Sequence, residues 1–204
     1  YIISQQNYKP TTFTIPSDFS SAALLLSAAV LIGENLTIQI TMGKLPQADE
    51  AIIDILEVLG AVVTLEKGHM TIKSPAKLEG GRFDLSNSPD LLPAIAILAL
   101  KKTKPIEIFN VEHARYKETD RIAILARELG KLGVKVVEKK DGLILKNSGK
   151  LTGADLNSEN DHRLFMAFCI AGMYIGNCTV SDPESVEISY PNFISDMKRA
   201  GSKI

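Results

Sequence analysis

The chain has 204 residues, 45% hydrophobic and 23% charged, and its 23 basic and 24 acidic side chains leave a formal net charge of −1. This is the composition of an ordinary globular protein, one large domain or two small ones, long enough to bury a core. It argues against a nucleic-acid binder that neutralises many phosphates. The longest apolar runs, AALLLSAAVLI (22–32) and LLPAIAILAL (91–100), fall short of the roughly 20 residues that span a bilayer.

Residues 1–12, YIISQQNYKPTT, open on Tyr1 rather than Met and read as strand-like, as in a piece of a longer protein. The polar cluster SDFSS (17–21) then starts an apolar helix, and NLTIQI (35–40) forms a strand. An amphipathic helix follows, with Ile52, Ile55, Leu56 and Leu59 three and four apart and Gly60 as its stop. AVVTLEKGHMTIK (61–73) reads as a hairpin with glycine at its reversal.

The same order then repeats. SNSPD (86–90) starts the helix of PDLLPAIAILAL, PIEIFNV (105–111) is a strand, and HARYKETDR (113–121) leads into a helix over 119–132. That helix carries Ile122, Leu125, Leu129 and Leu132, stops at Gly133, and is followed by the hairpin VKVVEKKDGLILK (134–146). The third round has SENDHR (158–163), an apolar helix, NCTVSD (177–182) and a helix stopped by Gly201, with no hairpin after it. The pattern predicts an α/β (α+β) fold of repeated βαβαββ units, at about 13–73, 82–146 and 153–204, the third incomplete. An incomplete unit leaves an unpaired edge, so another segment is expected to fill it. Cys169 and Cys178 have neither metal spacing nor a disulfide framework, and read as small hydrophobes in a reducing compartment.

Each polar cluster can be read as an N-cap. The third resists that reading, because His162 and Arg163 place cations at the positive end of a helix, which suits an anion bound there. Asp90, in a first turn, is by itself compatible with a structural role. HARYKETDR packs a histidine, three basic and two acidic residues into nine positions. It is either a solvated loop capped by Thr119 or Glu118, or a site. Counting back from Ile122, Leu125 and Leu129 puts Glu118 on the core-facing stripe, with Arg121 in the same turn and Lys117 adjoining. A carboxylate between two cations is a candidate proton carrier.

IPSDFSSAALLLSAA (15–29), DLSNSPDLLPAIAILA (84–99), NVEHARYKETDRIAILARELGKLG (110–133), NDHRLFMAF (160–168) and DPESVEISYPNF (182–193) together resemble the C-terminal half of the 5-enolpyruvylshikimate 3-phosphate synthase family. The resemblance implies two lobes, each of three βαβαββ units with helices inside and sheets outside. Residues 13–204 would be the C-terminal lobe, and residues 1–12 the end of the other lobe and the hinge. The protein's own N-terminal segment would complete the third unit.

It also implies a cytoplasmic enzyme that moves the enolpyruvyl group of phosphoenolpyruvate onto the 5-hydroxyl of shikimate 3-phosphate, with no metal or organic cofactor. By position, Asp90 matches the aspartate that contacts the shikimate hydroxyls and is a candidate base. Lys117 matches a lysine near both substrates, and Glu118 the glutamate that protonates the methylene carbon. Arg121 and Arg163 match the arginines that grip phosphoenolpyruvate, and His162 supports the phosphate. His113 stands where some members carry an asparagine touching shikimate 3-phosphate. Ile188 departs from the pattern, since many members have a lysine there. Further binding residues belong to the other half, so the chain alone is expected to be inactive. Two alternatives are a lobe of the related transferase acting on UDP-N-acetylglucosamine, which lacks the YKETDR and NDHR pairing, and a non-catalytic scaffold of the same fold.

Overall fold

The computed structural model describes residues 1–101 and 104–204. The first unit runs α1 (Phe19–Leu31), β1 (Asn35–Gln39), α2 (Ile52–Val58), β2 (Val62–Glu66) and β3 (His69–Lys73). The second runs β4 (Gly81–Asp84), α3 (Leu92–Ala96), β5 (Ile106–Phe109), α4 (Arg121–Lys131), β6 (Val134–Lys139) and β7 (Gly142–Asn147). The third has β8 (Asp155–Leu156), α5 (His162–Ile175), β9 (Thr179–Val180) and α6 (Phe193–Arg199).

The three apolar helices occupy the centre because they have no polar face to show water. α1 buries 11 of its 13 residues, residues 91–100 are all buried, and α5 buries everything from His162 to Ala171. α1, α3 and α5 pack on one another. Each fully buried leucine among them, such as Leu24, Leu26 and Leu98, contributes on the order of 1.5–3 kcal/mol. α2 and α4 are amphipathic and bury one stripe each, Ile52, Ile55 and Leu56 in α2 and Ile122, Leu125 and Leu129 in α4.

The sheets lie outside: four of the five residues of β2 are exposed. Sheet order is β1-β3-β2 in the first unit and β4-β5-β7-β6 in the second, with β8 and β9 paired in the third. All pairs are antiparallel except β4 with β5 and β8 with β9.

The predicted βαβαββ order is complete only in the second unit. Among the described residues no strand precedes α1, and residues 1–15 are exposed. The stretch 91–100 is not one helix but a 3-10 turn, a short α3 and a second 3-10 turn. Pro93 has no N–H to donate, so a continuous helical ladder cannot run through it. Gly142 is not placed for its φ. It sits in β7, where a Cβ would collide with the carbonyl of Ile108, so only glycine lets β7 approach β5.

Candidate functional site

The starts of α1, α5 and the 3-10 turn Pro89–Leu91 come from three different units and meet around Arg121, the first residue of α4. Arg121 is 0% exposed. A guanidinium there would cost several kcal/mol if unpaired, and three carboxylates surround it. Its Nε donates to Asp161 Oδ2 at 2.7 Å and its Nη2 to Asp161 Oδ1 at 3.3 Å. Nη2 also donates to Glu118 Oε2 at 2.6 Å, and Nη1 to Asp90 Oδ1 at 2.8 Å. Burial works against the charge, but these acids, Asp161 foremost, lift the arginine's pKa above its ordinary value.

Asp161, fully buried, serves two elements at once. As the N-cap of α5 it accepts from the backbone N–H of Arg163 at 2.9 Å and of Leu164 at 3.3 Å. It also accepts from Thr119 Oγ1 at 3.2 Å, so one carboxylate locks the second unit to the third.

Asp90 has Lys117 Nζ at 3.5 Å and Arg163 Nη2 at 3.6 Å besides Arg121. Desolvation opposes its ionisation, yet Arg163, Arg121 and Lys117 together hold its pKa below the usual carboxylate value. Arg163 is buried and reaches across to α1, where Nη2 donates to Ser20 Oγ at 2.9 Å. Among the described residues its Nη1 has no partner, and neither has Nδ1 of buried His162. Burial pulls the His162 pKa down; Asp161 opposes this and Arg163 adds to it.

The predicted residues Asp90, Lys117, Glu118, Arg121, His162 and Arg163 are thus gathered at one place, with local geometry that differs from expectation. Helix α4 begins at Arg121 rather than 119, and its cap is Asp120, which accepts from Ala123 N at 3.0 Å, not Thr119 or Glu118. Glu118 therefore lies outside the helix, and its side chain is 44% exposed. Arg121 takes the buried position instead, four residues before Leu125 on the same face of α4. Within HARYKETDR, Arg115 is a brace: it binds Asp120 at 2.8 Å, Glu138 at 2.9 Å and the carbonyl of Lys139 at 2.7 Å. His113 is exposed on the 3-10 turn Glu112–Tyr116, and no hydrogen bond or ion pair among the described residues ties it to the cluster. Ile188 is 66% exposed at the end of the turn Pro183–Ile188.

The profile of the EPSP synthase (3-phosphoshikimate 1-carboxyvinyltransferase) family matches residues 1–197. The chain belongs to the EPSP synthase family. It is 65% identical to the 3-phosphoshikimate 1-carboxyvinyltransferase of Nitrosopumilus maritimus and 41% identical to that of Methanococcus aeolicus, in both cases over its whole length. It spans about half the length of these relatives, 48% and 47%. Among solved structures, EPSP synthase from Acinetobacter baumannii superposes with a TM-score of 0.82 at 27% identity, over 91% of this chain and 46% of that one. The enolpyruvyl transferase NikO from Streptomyces tendae shares the fold, with a TM-score of 0.72 at 20% identity over 91% of this chain and 43% of that one.

Three contributors to this cluster were not singled out from sequence. Asp161 and Ser20 read as ordinary capping residues, and only the packing of three units turns them onto Arg121 and Arg163. Asp49 lies on a 3-10 turn (Ala48–Ala51) that Gln47 fastens to the start of α1, accepting from Phe19 N at 3.2 Å and donating to Ser17 O at 2.7 Å. Burial first, then the charges of Asp90 and Asp18, push its pKa up to about 6, against the pull of Arg163 and Lys117. Three cations (Lys117, Arg121 and Arg163) thus share the cluster with five carboxylates, Asp18, Asp49, Asp90, Glu118 and Asp161.

Proposed function

We propose that residues 13–204 are the C-terminal lobe of a cytoplasmic enzyme that transfers the enolpyruvyl group of phosphoenolpyruvate to the 5-hydroxyl of shikimate 3-phosphate and releases phosphate. Residues 1–12 are then the end of the other lobe and the hinge. The observation that carries this reading is the pair of buried, unpartnered polar atoms, Arg163 Nη1 and His162 Nδ1, beside Arg121 at the start of α5. A buried guanidinium N–H without a partner is costly, and an anion is the ligand that satisfies it at a helix N-terminus. Acids outnumber cations in the cluster, so two substrates that each carry a phosphate and a carboxylate need further cations. Those come from the N-terminal lobe.

In the reaction the 5-hydroxyl adds to the central carbon of phosphoenolpyruvate while a proton goes to the methylene carbon. The tetrahedral adduct then loses phosphate from that same central carbon and a proton from the methyl group. Asp90 accepts from the hydroxyl and Glu118 delivers the methylene proton, with Lys117 beside both substrates and His113 at the shikimate 3-phosphate end. Before substrate binds, both acids are tied to cations: Glu118 Oε2 accepts from Arg121, and Asp90 is held by Arg121, Arg163 and Lys117. Phosphate and carboxylate groups compete for the same cations. Substrate binding therefore frees Glu118 and returns basicity to Asp90, because a carboxylate whose neighbouring positive charge is neutralised holds protons more tightly.

Phosphate release from the two substrates by the full-length protein tests this. Glu118→Gln and Asp90→Asn should each lower turnover by about 10²–10⁴-fold with the fold unchanged by circular dichroism. Near-normal rates would mean that the chemistry lies elsewhere.

A further inference from the structure

Residues 157–161 carry the chain from β8 to the cap of α5, and their backbone takes an unfavourable path. Glu159 and Asn160 have φ of 51° and 60°. Nowhere else among the described residues are two non-glycine residues in succession left-handed, a region that a Cβ disfavours. Directly after them come Asp161, which binds Arg121, and then His162 and Arg163, which carry the two unpartnered buried atoms. The loop therefore sets where those groups point. Strain of this kind persists only where the surroundings enforce it.

Both ends of the loop are pinned to α4. Asn157 N donates to Glu128 Oε2 at 3.1 Å, and Asp161 Oδ2 accepts from Arg121 Nε at 2.7 Å. Glu128 is fully buried and lies seven residues after Arg121, so the two project from one face of α4. Pinned ends leave the path between them open. Glu159 N donates to Asn157 Oδ1 at 2.9 Å and Asp161 N to Ser158 O at 3.0 Å, but both bonds lie within the loop itself.

The middle is held from outside by Asp182, which stands ahead of the turn Pro183–Ile188. Its Oδ2 accepts from Asn160 N at 3.1 Å and from Ser158 Oγ at 3.0 Å. Ser181 Oγ donates to the same oxygen at 2.7 Å and accepts from Ser158 N at 3.1 Å. The Asn160 amide joins the two left-handed residues, so its bond to a carboxylate fixes the peptide on which the strained path depends. Asp182 is left-handed too, at φ 60°. Among the described residues no hydrogen bond or ion pair ties it to Arg121, His162 or Arg163, so it acts on them through the loop.

We propose that Asp182 is a positioning residue: through the Asn160 N–H and Ser158 it holds Glu159 and Asn160 left-handed, and so aims Arg163 and His162 at the phosphoenolpyruvate anion. This rests on the ligand proposed above. Two measurements on the full-length protein test it, steady-state phosphate release and titration of the His162 imidazole resonances with phosphoenolpyruvate. Asp182→Ala should raise the KM and the dissociation constant for phosphoenolpyruvate by about 10–100-fold, with the KM for shikimate 3-phosphate close to the parent's. Asn160→Val should do the same with Asp182 intact, because a β-branched residue resists a positive φ, and it carries the test should Asp182→Ala not fold. Adding Asn160→Gly to Asp182→Ala should restore most of the affinity, since glycine takes that φ unaided. A lower melting temperature with parental phosphoenolpyruvate affinity, in either single variant, would overturn the proposal. So would a double variant that binds no better than Asp182→Ala. A parent protein that binds phosphoenolpyruvate yet releases no phosphate would overturn the proposed reaction alone, and one that does not bind it would overturn both.

Discussion

Arg121 is a cation with no exposed surface, and the three acids that hold it come from three places in the chain: Glu118 three residues before it, Asp90 in the turn ahead of α3, and Asp161 at the start of α5. Removing the fully buried partner should be the most costly change. Asp161→Ala leaves a guanidinium short of its acceptor and α5 without a cap, and should lower stability by about 3–5 kcal/mol, read as a shift in urea midpoint. Asp49 works in the opposite direction. Its native pKa stands near 6 against an ordinary 3.8, so the folded state binds its proton more tightly than the unfolded state. The stability gained from that proton is present below pH 3.8 and lost as pH rises through about 6. Asp49→Asn, which stays neutral, should therefore be more stable than the parent above pH 6, with the difference vanishing below pH 3.8. A gain that does not depend on pH would contradict the burial described for Asp49. At this scale the sequence shows which ionisable residues crowd together, but not their partners. Lys117 reads as a neighbour of Glu118 and instead pairs with Asp90, 27 positions away.

The elements were legible where periodicity is strong. The stripes of Ile52, Ile55 and Leu56 and of Ile122, Leu125 and Leu129 are buried as the spacing requires. Their ends were less so, because a cap is a matter of local geometry: the sequence suggests Thr119 or Glu118, and the chain turns into the helix one residue later, at Asp120. Glycines divide in the same way. Gly130 lies in α4 with nothing near where a Cβ would go, so Gly130→Ala should stabilise by about 0.5–1 kcal/mol. Gly142 is pressed against the Ile108 carbonyl, and Gly142→Ala should destabilise by about 3 kcal/mol by prising β7 from β5. Urea titrations of the two variants should move in opposite directions. A common sign would mean that the sheet register around Ile108 differs from the one described.

Across the molecule, three copies of one pattern bring three polar helix starts to a single point, and this is what local sequence reading could only suggest. The repeat was visible in the spacing of Gly60, Gly133 and Gly201. The convergence was not, because it follows from packing α1, α3 and α5 side by side. Among the described residues the resulting cluster has two buried polar atoms without partners and more acids than cations, which is what the proposed reading of this chain as one wall of a two-lobed site requires. The measurement that tests this most directly is phosphate release from phosphoenolpyruvate and shikimate 3-phosphate, made in parallel on the full-length protein, on this chain alone, and on this chain mixed with a separately produced N-terminal half. Release by the full-length protein and by the mixture, but not by this chain alone, is the predicted result. Turnover by the isolated chain, or none by the full-length protein, would contradict it.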